Sequence, residues 1–272
     1  MMTALSSAVS GLDAYQEQMD IIGNNIANLN TTGFKSATGN LVNSFSDTLQ
    51  AATSTAPGIQ VGTGVATASV TDDWSQGAIN PTGVASNLAI NGNGFFVVQD
   101  PVSGAQYVTQ DGTFTLNATG HLVTSTGNYV LGTSGSGTTL APIIINPPAL
   151  ADGAIMTSYT ISAQGAVTAN MSDLTSVAVG TVMLQNFTDP QALNNVGNNL
   201  YSNMANAGPL AAPGAPGSGN LGTIQSGALE LSNVDLSAQM ADLIVAQRAF
   251  EANSKIITTS DELLQTVVNM KR

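Results

Sequence analysis

His121, in "NATGHLVT", is the only histidine of the chain, and there is no cysteine. Alone, an imidazole supplies neither a cluster of metal ligands nor a Cys–His couple. A Ser–His–Asp arrangement is formally available, but the chain has no G-x-S-x-G turn to present the serine. Asp72 and Asp73 are adjacent. In a strand, neighbours point to opposite faces, so they make a poor pair of cooperating carboxylates. "GNGFF" and "GTG" match neither a phosphate-binding loop nor a dinucleotide fingerprint and read as tight turns. No D-x-D-x-D-G calcium loop occurs. "NATG" and "NTTG" fit the N-x-[ST] glycosylation pattern, which arises by chance in a chain this rich in Asn and Thr. The residue chemistry points to no catalysis, no metal and no cofactor.

Charge narrows the choice further. The chain of 272 residues carries five Lys or Arg against 17 Asp or Glu, a formal net charge of −12. Binding to nucleic-acid phosphates needs clustered cations. Lys35 stands alone, and Arg248, Lys255, Lys271 and Arg272 sit at the far end. Nucleic acid is therefore excluded as a partner. No run reaches the ~18 apolar residues of a membrane span, so no membrane insertion is expected. The first residues, "MMTALSSAVSGLDAY", lack the basic n-region and apolar run of a secretory signal. Low charge with abundant Ser, Thr, Asn, Gly and Ala suits an external β-rich protein, which then needs another export route.

The elements that organise these residues lie at the two ends and in the middle. Leu5, Leu12, Met19 and Ile26 are seven apart, and so are Ala8, Tyr15, Ile22 and Leu29. Together they predict an amphipathic helix over 3–30 with a heptad seam. "NTTGFK" ends it, with Gly33 suited to a left-handed cap. At the other end, Leu236, Leu243, Phe250, Ile257 and Leu264 repeat the seven-residue spacing, while the companion positions Met240, Gln247, Ser254, Asp261 and Val268 are mixed. Ser232, Asn233 or Asp235 can cap its start. Two core helices of one globular domain would satisfy these patterns. Matched heptads at both termini favour the ends pairing with each other.

The expected fold is mixed α and β. Residues 1–35 and 232–272 form a terminal helical coiled-coil domain. Residues 36–75 are a connector, starting with weak helical spacing at Leu41, Phe45 and Leu49, passing into coil and ending strand-like. An all-β core of meanders and hairpins spans 76–206, with a small insertion near 132–178. "LAINGNGFFVVQD" reads as strand, turn, strand, and Trp74, the only tryptophan, as a core anchor. A Pro/Gly linker over 207–231 returns the chain to its last helix.

The ends also carry a resemblance. "NNIANLNTTGFK" holds Asn24, Asn25, Ala27 and Asn28, then Thr31, Gly33, Phe34 and Lys35. With the preceding helix it resembles the N-terminal signature of bacterial flagellar rod and hook proteins. "GALELSNVDLSAQMADLIVAQRAFEANSK" is similar to their C-terminal signature, and "LAINGNGFFVV" with the following meander to their shared β core. The resemblance implies an axial structural subunit, a helical homopolymer whose terminal helices line a channel. It implies neighbours among the other axial proteins (rod, hook cap and hook–filament junction) and delivery by the flagellar type III export apparatus without a cleaved signal peptide. "GALELSNVDLS" and the ending "VVNMKR" look most like the hook, an extracellular structure. The short insertion suits a distal-rod subunit of the periplasmic shaft. A secreted β-rich adhesin is the reading from another class.

Under that resemblance the expected assembly residues are Leu5, Leu12, Tyr15, Met19, Ile22, Asn24, Asn25, Ile26, Asn28, Leu29 and Phe34 at one end. At the other they are Leu236, Leu243, Arg248, Phe250, Ile257 and Leu264. Gly23 and five asparagines or threonines weaken the first helix as an isolated segment, since Gly costs ~1 kcal/mol against Ala. The ends are therefore expected to order on polymerisation. Asn24, Asn25 and Asn28 are expected to bond across subunits, and Arg248, Glu251 and Lys255 to pair locally or with a neighbour.

Overall fold

The computed structural model describes residues 2–50, 58–134, 139–145, 156–173, 175–202, 204–209 and 212–270. The chain divides into two compact units. One is built from Met1–Leu29, Ser36–Asp73 and Val234–Arg272, the other from Asn30–Lys35 and Trp74–Asn233.

The first unit holds α1 (Met2–Ala27), four strands and α2 (Leu236–Met270). The strands are β1 (Ala37–Asn43), β2 (Ser46–Gln50), β3 (Ile59–Gly62) and β4 (Val65–Asp72). Asp235 caps α2 as its position predicts: its Oδ1 accepts from the Ser237 and Ala238 amides at 2.8 and 3.3 Å. The helices run antiparallel. Asn25 of α1 bonds Gln239 at the start of α2, and Gly11 lies against Asn253 further along it.

The segment expected as a connector is instead a pair of ribbons. β1 and β4 pair antiparallel from Ala37↔Asp72 to Asn43↔Val65, with a bulge at Asn40/Leu41. β2 pairs with β3. The helical spacing of Leu41, Phe45 and Leu49 misled because "ATGNLVN" is rich in poor helix formers and its partner strand lies about thirty residues on. Gly39 lets β1 approach α1: a Cβ there would come within 2.9 Å of Ile21 Cδ1.

The second unit is all β. In chain order its strands are β5 (Ile79–Pro81), β6 (Leu88–Asn91), β7 (Phe95–Gln99), β8 (Gln106–Thr109), β9 (Phe114–Leu116), β10 (Leu122–Thr124), β11 (Tyr129–Ser134) and β12 (Leu140–Pro142). There follow β13 (Met156–Ile161), β14 (Ala166–Met171), β15 (Ser176–Val182), β16 (Leu184–Gln185), β17 (Asn194–Gly197), β18 (Leu200–Ser202), β19 (Thr223–Ser226) and β20 (Ala228–Glu230). The main sheet runs β13-β14-β15-β11-β7-β8-β18-β17, with β9, β10, β12 and β16 attached beside it.

The hairpin expected at "SYTISAQGAVTAN" is β13–β14, and the meander is present as β9–β10–β11. "LAINGNGFFVVQD" gives two strands but no hairpin. β6 pairs with β19, and β7 with β8, β11 and β16. β19 and β20 lie inside the stretch expected as a linker, so its second half is sheet. Residues 135–138, 146–155 and 174 of the expected insertion lie outside the described residues.

Two apolar clusters fill the second unit. One centres on Phe96, Phe114, Leu122 and Leu184. The other joins Phe95, Phe187 and Tyr201, with Trp74 packed against it. Trp74 meets Phe95 and Tyr201 edge-on at 5.2 Å each, which fits the expected core anchor.

Candidate assembly surface

Burial on α1 and α2 splits the expected heptad seams. On α1 the buried positions include Ala8, Gly11, Ile22 and Asn25, whereas Leu5, Leu12, Met19 and Ile26 are only half-buried. On α2 the buried positions are Ala246 and Ser260, with Leu243, Phe250 and Ile257 half-buried and Leu236 and Leu264 exposed. On α1 the buried Ala8 and Ile22 lie on the expected companion lane while Gly11 and Asn25 lie off it, and on α2 the buried Ala246 and Ser260 stand one residue before the expected Gln247 and Asp261. Small and polar residues take the helix–helix seam: Gly11 and Asn25 on α1, and Gln239, Ala246, Asn253 and Ser260 on α2. Gly11 lies close to α2 there: a Cβ would stand 2.7 Å from Asn253 Nδ2, so the Asn253 side chain would have to move. Spacing assigned the seam to two interleaved lanes, and Gly11, Asn25, Ala246 and Ser260 belong to neither. Close approach of two helices selects small residues instead.

Asn25 is the polar centre of this unit. Only 1 % exposed, it donates to Ala37 O at 2.8 Å and Gln239 Oε1 at 3.0 Å. Its Oδ1 accepts from Ala37 N at 2.9 Å. One amide thus ties α1, β1 and α2, and its bonding capacity is used inside the chain. Asn24 is exposed, and Asn28 donates to its Oδ1 at 2.9 Å. Leu29 and Phe34 are half-buried. Tyr15 shares a cleft with Gly11, Gly64 and Asn253, and Leu5 shares one with Ile257 and Leu264. Arg248 bonds Glu251 at 2.9 Å, both well exposed, so the local pair forms.

Apolar side chains left in water mark the outer surface. On α2 they include Met240, Ile244, Val245, Leu263, Val267 and Val268, with Val268 68 % exposed. From Asp261 to Met270 every position of α2 is exposed. Half of that stretch, Leu263, Leu264, Val267, Val268 and Met270, is apolar surface that would gain from being covered.

The second unit holds a site that pattern reading missed. Lys35 Nζ lies 2.7 Å from Glu230 Oε1, with side-chain exposures of 2 % and 4 %. Lys35 also donates to Ser75 O at 2.8 Å. Glu230 Oε1 accepts from Gly77 N at 2.8 Å, and Glu230 O accepts from Gly33 N at 2.9 Å. Three stretches of chain meet at one ion pair. Lys35 was read as an isolated cation and as part of a signature, and it is the only cation before Arg248. A lone cation in a nearly uncharged β unit needs a counter-charge, and that was the available signal. The pair lines a cavity with Trp74, Phe95 and Phe187.

The lone histidine is engaged locally. His121 stacks on Tyr129 at 4.7 Å, and its Nδ1 bonds Thr119. Among the described residues no group of three or more His, Cys, Asp or Glu could hold a metal ion. No described helix is long and apolar enough to cross a membrane.

Comparison with known proteins fits a structural reading. Residues 5–35 match the family described as flagella basal body rod protein. Residues 89–169 match the flagellar hook protein FlgE/F/G D1 domain, and 225–270 the C-terminal part of the flagellar basal body rod FlgEFG proteins. The flagellar basal-body rod protein FlgG of Bacillus subtilis is 38 % identical over 278 residues, covering 100 % of both chains. That of Borreliella burgdorferi is 36 % identical over 280 residues, again covering 100 % of both. The flagellar hook protein FlgE of Escherichia coli is 26 % identical over 414 residues, covering 98 % of this chain and 100 % of that one. The chain belongs to the flagellar rod and hook axial protein family, whose members are structural subunits and not enzymes.

Proposed function

We propose that the chain is a subunit of the straight rod of the flagellar basal body, polymerising with itself into a helical tube and meeting other axial proteins at the tube's ends. The observation that supports the rod over the hook is length. Rod relatives align end to end over 278 and 280 positions, whereas the hook relative needs 414, so that hook protein carries a large insertion this chain lacks. The extracellular hook, favoured by the terminal motifs, is the second reading.

The mechanism follows from the lanes on the helices. The contacts between α1 and α2 include the Asn25–Gln239 hydrogen bond and the close approach of Gly11 to Asn253. The lane of Leu5, Leu12, Met19 and Ile26, and the exposed apolar side chains of α2, gain from burial only when neighbouring copies supply the other wall. The terminal helices thus pair as a coiled coil completed by neighbours, and the ordering cost falls at the growing tip. The domain roles follow: terminal helices inside, β core outside, and the β1–β4 ribbons as the adjustable element between copies. Delivery is by type III export with the N-terminus retained.

Immunogold electron microscopy of purified basal bodies, with antibody raised to the β core, tests the reading. Gold along the rod is expected. Gold along the curved hook would transfer the chain to the second reading.

A further inference from the structure

The cavity beside the Lys35–Glu230 pair has a wall suited to more than packing. It measures about 500 Å³, inside the roughly 300–1,000 Å³ range of small-molecule sites. All of its described lining residues belong to the second unit. The floor includes the buried Phe95, Phe187 and Gln110, and the mouth carries the exposed Asn93, Thr188 and Asn220.

Two enclosed polar atoms on the lining residues lack a partner. Trp74 Nε1, a donor, and Gln110 Oε1, an acceptor, make no hydrogen bond among the described residues. Only three buried side-chain atoms are left so among the described residues, and the third, Thr67 Oγ1, lies in the first unit. Buried polar groups are nearly always paired, and each exception calls for an explanation. Two exceptions on one cavity call for a shared one. Gln110 is 9 % exposed, and its Nε2 donates to Gly94 O at 3.3 Å. That bond fixes the amide and leaves Oε1 as its unpaired end. Trp74 is held by its edge-on contacts with Phe95 and Tyr201. Groups held in place lose little freedom when a ligand arrives.

The charges of the described lining, Lys35 and Glu230, are bonded to each other, so the wall does not select for charge. A ligand must offer an acceptor to Trp74 N–H, a donor to Gln110 Oε1 and apolar faces to Phe95 and Phe187. Asn93, Asn186 and Asn220 add amide groups, which both donate and accept. A sugar ring meets every term. Each of its hydroxyls donates and accepts, and its C–H faces pack on aromatic rings. We propose that this cavity is a binding site for a neutral sugar ring. The site goes beyond the polymer reading and holds equally for rod or hook.

Trp74 is the only tryptophan and reports occupancy. The full chain is titrated with glucose, galactose and N-acetylglucosamine, and retention of each tritiated sugar is measured by equilibrium dialysis. A saturable change in Trp74 emission, matched by retention, is expected with at least one of them. Trp74→Phe keeps an aromatic ring and removes the N–H, and Gln110→Met keeps the length and removes the acceptor. Each is expected to weaken retention about two- to tenfold, the effect of one hydrogen bond. His121→Gln, outside the lining, is expected to bind as the wild type does. Circular dichroism melting checks that each variant folds, and Trp74→Phe alone decides if Gln110→Met does not. A folded chain that binds none of the three sugars saturably would overturn the proposal. So would binding that the folded variants do not weaken. Emission that changes with the chain's own concentration but not with sugar would give the cavity to a second copy, and would overturn it too. Each of these outcomes is separate from the gold labelling that tests the rod.

Discussion

Removing one partner of the Lys35–Glu230 pair should cost far more than removing both. The ion pair is 2.7 Å long and almost fully enclosed. In Glu230→Leu the ammonium keeps only Ser75 O, and Gly77 N–H loses its acceptor. Leaving a buried charge uncompensated costs about 3–5 kcal/mol. Glu230→Gln keeps an acceptor for both donors and loses only the charge, so about 1–3 kcal/mol is expected. Lys35→Met strands the carboxylate and should fall in the same range as Glu230→Leu, at about 3–5 kcal/mol. The double variant Lys35→Met/Glu230→Leu leaves no buried charge there, and Ser75 O keeps its bond from Asn233 Nδ2 at 3.3 Å. It should be more stable than either single change to an apolar residue, which requires a coupling larger than either single cost, about 3–5 kcal/mol or more. Arg248→Ala is the internal control. Its pair with Glu251 is exposed, and such pairs are worth about 0.5 kcal/mol or less. Urea unfolding followed by fluorescence reads the second unit directly, because Trp74 is the only tryptophan and lines the same cavity as the pair. Single variants that cost no more than Arg248→Ala, or a double variant that costs the sum of its parts, would refute the argument.

Other outcomes follow from the same geometry. Asn25→Ala should destabilise the first unit by about 1–3 kcal/mol, because Ala37 N–H and C=O lose their partners; helix melting by circular dichroism reads it. Asn25→Asp should be worse, since a carboxylate then faces the carbonyl oxygens of Ala37 and Gln239. Gly33→Ala should cost about 1–3 kcal/mol or more, at φ +66 with backbone of Asp111 2.7 Å from the added Cβ; thermal unfolding measures it. Burial raises the carboxyl of Asp72 above its ordinary value, so the folded chain holds that proton more tightly than the unfolded one. The associated stability is complete below the ordinary carboxylate range and is lost as pH rises through the raised value. Asp72→Asn should remove that slope from a stability–pH curve between acid and neutral pH, and an unchanged slope would exclude the group. Leu12→Asp with Met19→Asp should leave the β core folded by fluorescence yet abolish tubes in electron micrographs.

The sequence carried the local signals well and the long-range ones poorly. The α2 cap at Asp235, the left-handed Gly33 and the hairpin at 156–171 depend on neighbours within a few residues, so they were readable. The heptad lanes were half readable. Leu243, Phe250 and Ile257 are half-buried, and hydrophobicity cannot say which adjoining lane a partner helix will choose. Gly11 and Ala246 were chosen for closeness. The ribbon of β1 and β4 was misread because its partner strand is distant and its helical spacing rested on three residues. The pairing of β6 with β19 and of Lys35 with Glu230 spans well over a hundred residues, beyond any periodicity.

The placement of β19 and β20 sets the order in which the second unit can be completed. β5 has only β20 as its named partner and β6 only β19. Gly33 and Lys35 wait for Glu230, Thr82 and Gly83 donate to Gly227 O, and Asn93 O accepts from Gly222. The earliest stretches of this unit therefore find their partners among its last dozen residues. A chain emerging N-terminus first can build the middle of the sheet but must leave its entrance frayed until residue 230 arrives. Closure is then a signal of completeness: a subunit truncated anywhere before Thr223 keeps an open sheet edge and an unpaired Lys35, and cannot pass for a finished one.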